Sequence, residues 1–318
     1  MRVVLLEPLG VAKEKILSMA EKIEGLGHDF IMYDDRPDTQ DELVRRAADA
    51  DVVILSNLPF PDEAINQCPN LKLISVAFTG IDHIGLEACK ERDIAVKNAA
   101  GYSTPSVAEL TFGLIISVLR NIVECHAAVK AGRTGQGLLG FDLAGKTLGI
   151  VGTGAIGLKV AEIGRAFGCR LLAYSRTHKD EAEKLGVKYV SLDELLTESD
   201  IVSLHVPLNE HTRGLISREK IALMKPGSIL INTARGPIID SQALADALNE
   251  GKLAGAGIDV FETEPPIAAD HPLLNAKNVV LTPHIAYATR EALERRAEIA
   301  FNNVISWIKK RVKTALDF

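Results

Sequence analysis

Residues 147–157 read TLGIVGTGAIG: a short apolar run that opens into Gly152, Gly154 and Gly157 at the spacing G-x-G-x-x-G. The run suits a buried parallel strand, and the residues after the glycines carry a helical pattern that ends near Phe167. In such a strand–loop–helix the first glycine permits the tight turn and the second lets the backbone approach a pyrophosphate. The third lets the helix pack closely on the strand. The helix start, with Ala155 and Ile156 in its first turn, adds N–H donors and the positive end of the dipole. Glycines at this spacing also occur in ordinary turns. The strand before them and the helix after them favour a dinucleotide site.

Which dinucleotide it takes depends on the end of the next strand, RLLAY (170–174). An NAD site places an acidic residue there, on the ribose 2′-hydroxyl. Here the chain reads Ser175-Arg176-Thr177, with Ser175 at the twenty-fourth position counted from Gly152. Two hydroxyls and a guanidinium suit a 2′-phosphate, and no carboxylate repels it. NADP is therefore favoured over NAD, the alternative being an arginine that simply points into solvent.

At 318 residues the chain exceeds one ordinary core, so two domains are expected. With 47% hydrophobic and 25% charged residues it has the composition of a globular protein. A net charge of −6 argues against a nucleic-acid or anionic-membrane partner and leaves a small molecule as the expected one. The start, MRVVLLEPLG, has one basic residue and only a short apolar run before Glu7, which is no signal peptide, so a cytoplasmic location is expected. The longest apolar stretch, near Leu110 to Leu119, is too short for a bilayer and reads as a buried helix. Cys68, Cys89, Cys125 and Cys169 have no metal-ligand or C-x-x-C spacing. They read as reduced core or boundary residues, and no metal is expected.

Apolar runs alternate with helical patterns almost from end to end, the signature of parallel sheets covered by helices. One set comprises RVVLLEP, DFIMYDD, DVVILSN, LKLISVAF and IAVKN, with helices near 12–26 and 39–49. A second starts at Thr147 and runs through TLGIV, RLLAY, VKYV, IVSLHV, SILINT, AGAGIDV and NVVLT. Between them one long helical pattern, about 104 to 131, joins the two.

Five motifs in fixed order, NAAGYSTPSVAE, LAGKTLGIVGTGAIG, INTARGPIID, AGIDVFETEPP and LTPHIAYAT, resemble those of the D-isomer-specific 2-hydroxyacid dehydrogenases. They cover roughly 75 to 318, and the strand–helix rhythm covers the rest. The resemblance implies an α/β fold in which a Rossmann domain, 102–287, is inserted into a smaller flavodoxin-like substrate domain, 1–101 with 288–318. The cleft between them would hold the chemistry, and the protein would be a homodimer. The apolar helix near 107–119 also suggests a two-fold interface, unless it is buried between the domains.

Reduction of a 2-keto acid needs a hydride donor, a cation for the carboxylate and carbonyl, and a proton donor for the forming alkoxide. Arg235 follows the strand SILINT, at the carboxyl end where open α/β sheets bind ligands, and its planar fork suits a carboxylate. His284 follows NVVLT, and its ordinary pKa of about 6.5 suits proton transfer at neutral pH. Taken alone, each would more often be a structural or surface residue; matched to the family motifs, Arg235 becomes the substrate clamp and His284 the acid. His28, His83, His126, His178 and His211 keep the structural reading.

The resemblance further implies that Glu264 is the carboxylate beside the catalytic histidine and that Asp259 holds the nicotinamide carboxamide, with Glu262 solvated. It places His205, Val206, Pro207 and Thr212 along the ribose side. Thr233, Ala234 and Ala286, with Arg235 and His284 themselves, fall beside the nicotinamide. In FTGIDHIG (78–85) the amides of Thr79 and Gly80 resemble the family's carboxylate-binding loop. The chain departs from the family at Gly85, where a second acid is common, at Ala100 for proline, and at Ala155 for a basic residue. It also lacks the tryptophan often found after the long helix, in GRTGQGLLGFDL (132–143). Tyr287 after His284 resembles the glycerate dehydrogenase, hydroxypyruvate and glyoxylate reductase branch, which implies a small polar 2-keto acid; with Ser175-Arg176-Thr177 the expectation is an NADP-preferring reductase. The alternatives are a formate or phosphite dehydrogenase, the former disfavoured by Glu264, and a nucleotide-sensing, corepressor-like binding protein.

Overall fold

A computed structural model describes residues 1–263 and 266–316, with side chains described as far as residue 311. The described chain divides into two compact units, Met1–Ser103 with the segment from Ala288 onward, and Thr104–Tyr287.

In the first unit β1 (Arg2–Leu5), β2 (Asp29–Met32), β3 (Val52–Leu55), β4 (Leu73–Val76) and β5 (Ala95–Asn98) form a parallel sheet in the order β2-β1-β3-β4-β5. That is the flavodoxin-type order. α1 (Lys13–Glu24), α2 (Gln40–Ala47), α3 (Asp62–Asn66) and α4 (Leu86–Glu91) connect the strands. β3 and β4 read VVIL and LISV and are buried throughout, as strands covered on both faces must be.

The second unit begins with a correction. The single helix expected over 104 to 131 is two, α5 (Thr104–Leu119) and α6 (Ile122–Lys130), bent by 60°. Asn121 breaks it by adopting the left-handed conformation, φ 48° and ψ 43°, which asparagine tolerates better than most residues. The carbonyl of Leu119, at the end of α5, instead accepts from the returning Phe141 N–H at 2.9 Å. No single described helix is long and apolar enough to cross a membrane.

β6 (Thr147–Val151), α7 (Ala155–Ala166), β7 (Arg170–Tyr174), α8 (Asp180–Lys184), β8 (Lys188–Tyr189), α9 (Leu192–Glu198) and β9 (Ile201–Leu204) follow, then α10 (Arg218–Leu223), β10 (Ile229–Asn232), α11 (Ser241–Asn249), β11 (Gly255–Ile258) and β12 (Val279–Leu281). The parallel sheet runs β12-β11-β10-β9-β6-β7-β8. Numbered from β6, that is the Rossmann order 3-2-1-4-5-6 extended by one strand, with its switch point between β6 and β9. Residues alternate between two cores, as a period of two requires. Leu148, Ile150, Leu171, Ala173, Ile201, Ile229 and Ile231 lie on one side, and Val151, Val202, Leu204, Leu230 and Ile258 on the other.

α12 (Arg290–Leu316) returns to the first unit. Ala297, Ala300, Phe301, Val304 and Ile308, at helical spacing, enter the core that holds Val3, Leu5, Ile54 and Leu73. The buried Ser75 hydroxyl donates to the Ala300 carbonyl at 2.9 Å.

Candidate active site

The three glycines divide their tasks as the spacing predicts. Gly152 has φ +100°, and a Cβ there would lie 2.5 Å from the His205 carbonyl oxygen, so the turn excludes every side chain. At Gly157 a Cβ would lie 1.9 Å from the Gly152 oxygen, which keeps α7 tight on β6. Gly154, the N-cap of α7, faces open space. A pyrophosphate would fill that space with its oxygens toward the first-turn amides of Ala155 and Ile156, so the loop fits a dinucleotide.

The flanking loops lie at the same sheet edge. Gly152 N–H donates to the Tyr174 carbonyl at 2.8 Å, bringing the start of Ser175-Arg176-Thr177 to the glycine loop. Ser175 is half-buried, and Arg176 and Thr177 are exposed. On the other side of β6, His205 N–H donates to the Val151 carbonyl at 2.7 Å. The His205 Nε2 is 2.8 Å from the Ser203 hydroxyl, and burial pushes its pKa down to about 3, leaving a neutral ring at physiological pH. Val206 packs beside Gly152. The Thr212 hydroxyl donates to the Pro207 carbonyl at 2.6 Å and accepts from Asn209 N–H at 2.8 Å, closing that loop on itself.

The loop after β10 is braced by Asn232, a strand-end turn residue that the sequence reading passed over. Its Oδ1 accepts from Ala234 N–H at 3.0 Å and its Nδ2 donates to the Arg235 carbonyl at 2.9 Å. The buried Thr233 hydroxyl lies 3.1 Å from that of Thr111 on α5. Arg235 is half-buried, and its Nη1 donates to the Ala234 carbonyl at 2.8 Å. A Cβ at Gly236 would stand 2.0 Å from the Phe261 carbonyl carbon, so the Arg235 loop lies against the segment that leads into ETEPP.

Glu264 lies outside the described residues. Glu262 is exposed, as expected, and is paired at the surface. It accepts from the Ser241 hydroxyl at 2.6 Å and meets His271 Nε2 at 2.9 Å. These donors pull its pKa down against the effect of burial.

Asp259 is fully buried at the end of β11. Its Oδ1 accepts from the Thr282 hydroxyl at 2.5 Å and from Ile285 N–H at 2.9 Å, and its Oδ2 from Ala286 N–H at 2.9 Å. Burial raises its pKa against the pull of these donors. His284 has φ +53°. This left-handed conformation is uncommon for a residue with a side chain, and Asp93, Asn121 and Asn278 share it. The His284 ring meets Tyr287 edge-on at 5.5 Å. Arg235, Asp259 and His284 thus follow β10, β11 and β12, three adjacent strands, at their carboxyl ends.

In the first unit, Thr79 is exposed and Gly80 half-buried, on a loop held by the Asn98 Nδ2 donating to the Thr79 carbonyl at 2.7 Å. Gly85, where an acid is common in the family, has no room for one: a Cβ would lie 2.3 Å from Asp62 N. Burial raises the Cys68, Cys89 and Cys169 thiols to about 11, so they stay protonated and unreactive.

The family model described as D-isomer specific 2-hydroxyacid dehydrogenase, NAD binding domain, matches residues 112–286. The chain is 38% identical over 295 residues to a hydroxypyruvate reductase of Blautia hydrogenotrophica, covering 90% of this chain and 91% of that protein. It is 43% identical over 287 residues to a glyoxylate reductase of Aeropyrum pernix, covering 87% and 85%. The solved structure of an acyclic imino acid reductase in complex with NADPH and D-Arg superposes with a TM-score of 0.87 at 30% identity, over 98% of both chains.

Proposed function

Because the chain belongs to the D-isomer-specific 2-hydroxyacid dehydrogenase family, NAD(P)-dependent oxidoreductases acting on 2-hydroxy acids, we propose that it reduces a small polar 2-keto acid of the glyoxylate or hydroxypyruvate kind, with NADPH favoured. The observation that carries the reading is His284, held in a left-handed turn by Asp259 at the carboxyl end of β12, two strands from Arg235.

When bound, the nicotinamide cofactor supplies the hydride to the carbonyl carbon. The protein's residues do the rest. The Arg235 guanidinium takes the substrate carboxylate and polarises the carbonyl, and the Thr79 and Gly80 amides also serve the carboxylate. His284 gives a proton to the carbonyl oxygen as the alkoxide forms, and Glu264 steadies the protonated ring. Asp259, whose carboxylate accepts from Thr282, Ile285 and Ala286, holds the carboxamide. Thr233, Ala234 and Ala286 flank the nicotinamide, and His205, Val206, Pro207 and Thr212 line the ribose side. Ser175, Arg176 and Thr177 receive the 2′-phosphate. On this reading the first unit is the substrate domain and the second the dinucleotide domain, and the protein works in the cytoplasm.

The protein acts as a homodimer, but not through the 107–119 stretch expected to form the interface, because α5 is buried in the core of the second unit. Val129 is 72% exposed, Leu139 91% and Phe141 59%, an apolar surface on α6 and the following loop that a two-fold partner would cover. Sedimentation that finds only monomer at micromolar concentration removes the dimer.

Oxidation of NADPH by glyoxylate or hydroxypyruvate tests the function. Turnover only with formate or phosphite supports that type of dehydrogenase, and binding without turnover supports a sensor.

A further inference from the structure

Tyr189 stands on β8, the edge strand, in register with Ala173 of β7. Its phenol reaches two loops at once. The hydroxyl donates to Thr153 Oγ1 at 2.9 Å and accepts from Lys179 N–H at 3.1 Å. Thr153 sits between Gly152 and Gly154 and is 1% exposed. Lys179 is the N-cap of α8. The His178 ring stacks on the Tyr189 ring, with centroids 3.9 Å apart and planes at 7°.

The segment from Ser175 to His178 is therefore tied at both ends. At its start the Tyr174 carbonyl is held by Gly152 N–H at 2.8 Å, and at its finish Lys179 N–H is held by Tyr189. Both ties lead back to the glycine loop, the second through Thr153. A half-buried, polar-tipped aromatic with both hydrogen-bonding roles filled is a rigid strut. Such a segment loses less freedom when a ligand binds than a free loop of the same composition.

We propose that Tyr189 is a positioning residue for cofactor choice: it locks the Ser175–His178 segment to the glycine loop and so determines how tightly a nucleotide with a phosphate on its ribose 2′-oxygen is held. The proposal rests on the reading that Ser175, Arg176 and Thr177 face the ribose. Tyr189 touches neither reacting atom, so its effect falls on affinity at the adenosine end.

The test is calorimetric titration of the wild type, Tyr189→Phe and His178→Ala with 2′,5′-ADP and with 5′-AMP, together with melting temperatures and the KM for the keto acid. Tyr189→Phe keeps the ring and removes both hydrogen bonds. It should weaken 2′,5′-ADP by about tenfold and 5′-AMP by less than about threefold, with the keto-acid KM unchanged. His178→Ala should weaken 2′,5′-ADP by a smaller factor through loss of the stack. Unchanged affinities in Tyr189→Phe overturn the proposal. So does equal weakening of both nucleotides in a protein that prefers 2′,5′-ADP, or weakening that comes with a large drop in melting temperature. The NADP reading fails separately, if the wild type binds 5′-AMP as tightly as 2′,5′-ADP. In that case the strut stands if Tyr189→Phe weakens 5′-AMP at an unchanged melting temperature, and falls if it does not.

Discussion

Asp259 and His284 are joined main chain to main chain, the His284 N–H donating to the Asp259 carbonyl at 2.8 Å, while the Asp259 carboxylate takes the amides of the next two residues. The left-handed backbone at His284 is thus held by one buried acid on the neighbouring strand. An amide side chain has one acceptor atom in place of two, and its NH₂ would face a donor. Asp259→Asn should therefore lower stability by about 1 to 3 kcal/mol and slow reduction. A variant that melts and turns over like the wild type shows that the carboxylate does not hold the segment.

Replacing the proton donor gives a sharper kinetic signature. His284→Ala should reduce the rate constant of reduction by about 10² to 10⁴ and change cofactor affinity little by comparison. Glu264→Gln should move the pH profile of reduction toward lower pH, because the protonated donor loses its carboxylate partner. Pre-steady-state reduction with a bound-cofactor titration measures both, and wild-type turnover in His284→Ala removes that residue from the mechanism.

Cofactor preference follows from Ser175, Arg176 and Thr177. A charge-assisted hydrogen bond contributes roughly 1.5 to 3 kcal/mol, or about ten- to a hundredfold in kcat/KM for NADPH over NADH. Ser175→Asp should swing the preference toward NADH, since a carboxylate accepts from the ribose hydroxyl and repels the phosphate. Equal or higher efficiency with NADH in the wild type ends the 2′-phosphate reading.

His205 makes stability depend on acid. Burial lowers its folded-state pKa to about 3, while the unfolded chain titrates near the ordinary value of about 6.5. Between these values the unfolded state binds more protons, so stability falls as the pH drops from 6.5 toward 3. Melting curves from pH 7 to 4 should fall more steeply for the wild type than for His205→Gln, each kcal/mol amounting to roughly 2 to 4 °C. Parallel curves assign the acid sensitivity to other groups.

The strands were legible because VVIL, LISV and TLGIV are short apolar runs bounded by turn residues. The glycine loop was legible because each of its positions has a backbone reason to lack a side chain. The break at Asn121 was not, since LRNIV continues a helical pattern and only the returning Phe141 amide shows where α5 stops. The pairings of the exposed Glu262 and of Tyr189 were missed for a related reason. Their partners, Ser241 and His271 for one and Thr153 for the other, are set by tertiary packing and leave no local trace. Asn232, placed two residues before Ala234 at a strand end, did carry a readable turn signal.

The core made by α12 has a consequence in time. The Ser75–Ala300 hydrogen bond spans 225 residues of chain, and Phe301, Val304 and Ile308 fill the same core as Val3 and Leu5. At roughly 5 to 20 residues per second, synthesis leaves the first sheet without its last helix for about 10 to 45 s. The whole of Thr104–Tyr287 emerges in that interval. The unit made first is therefore the unit finished last, and its bare sheet face is the part of the nascent protein most in need of shelter.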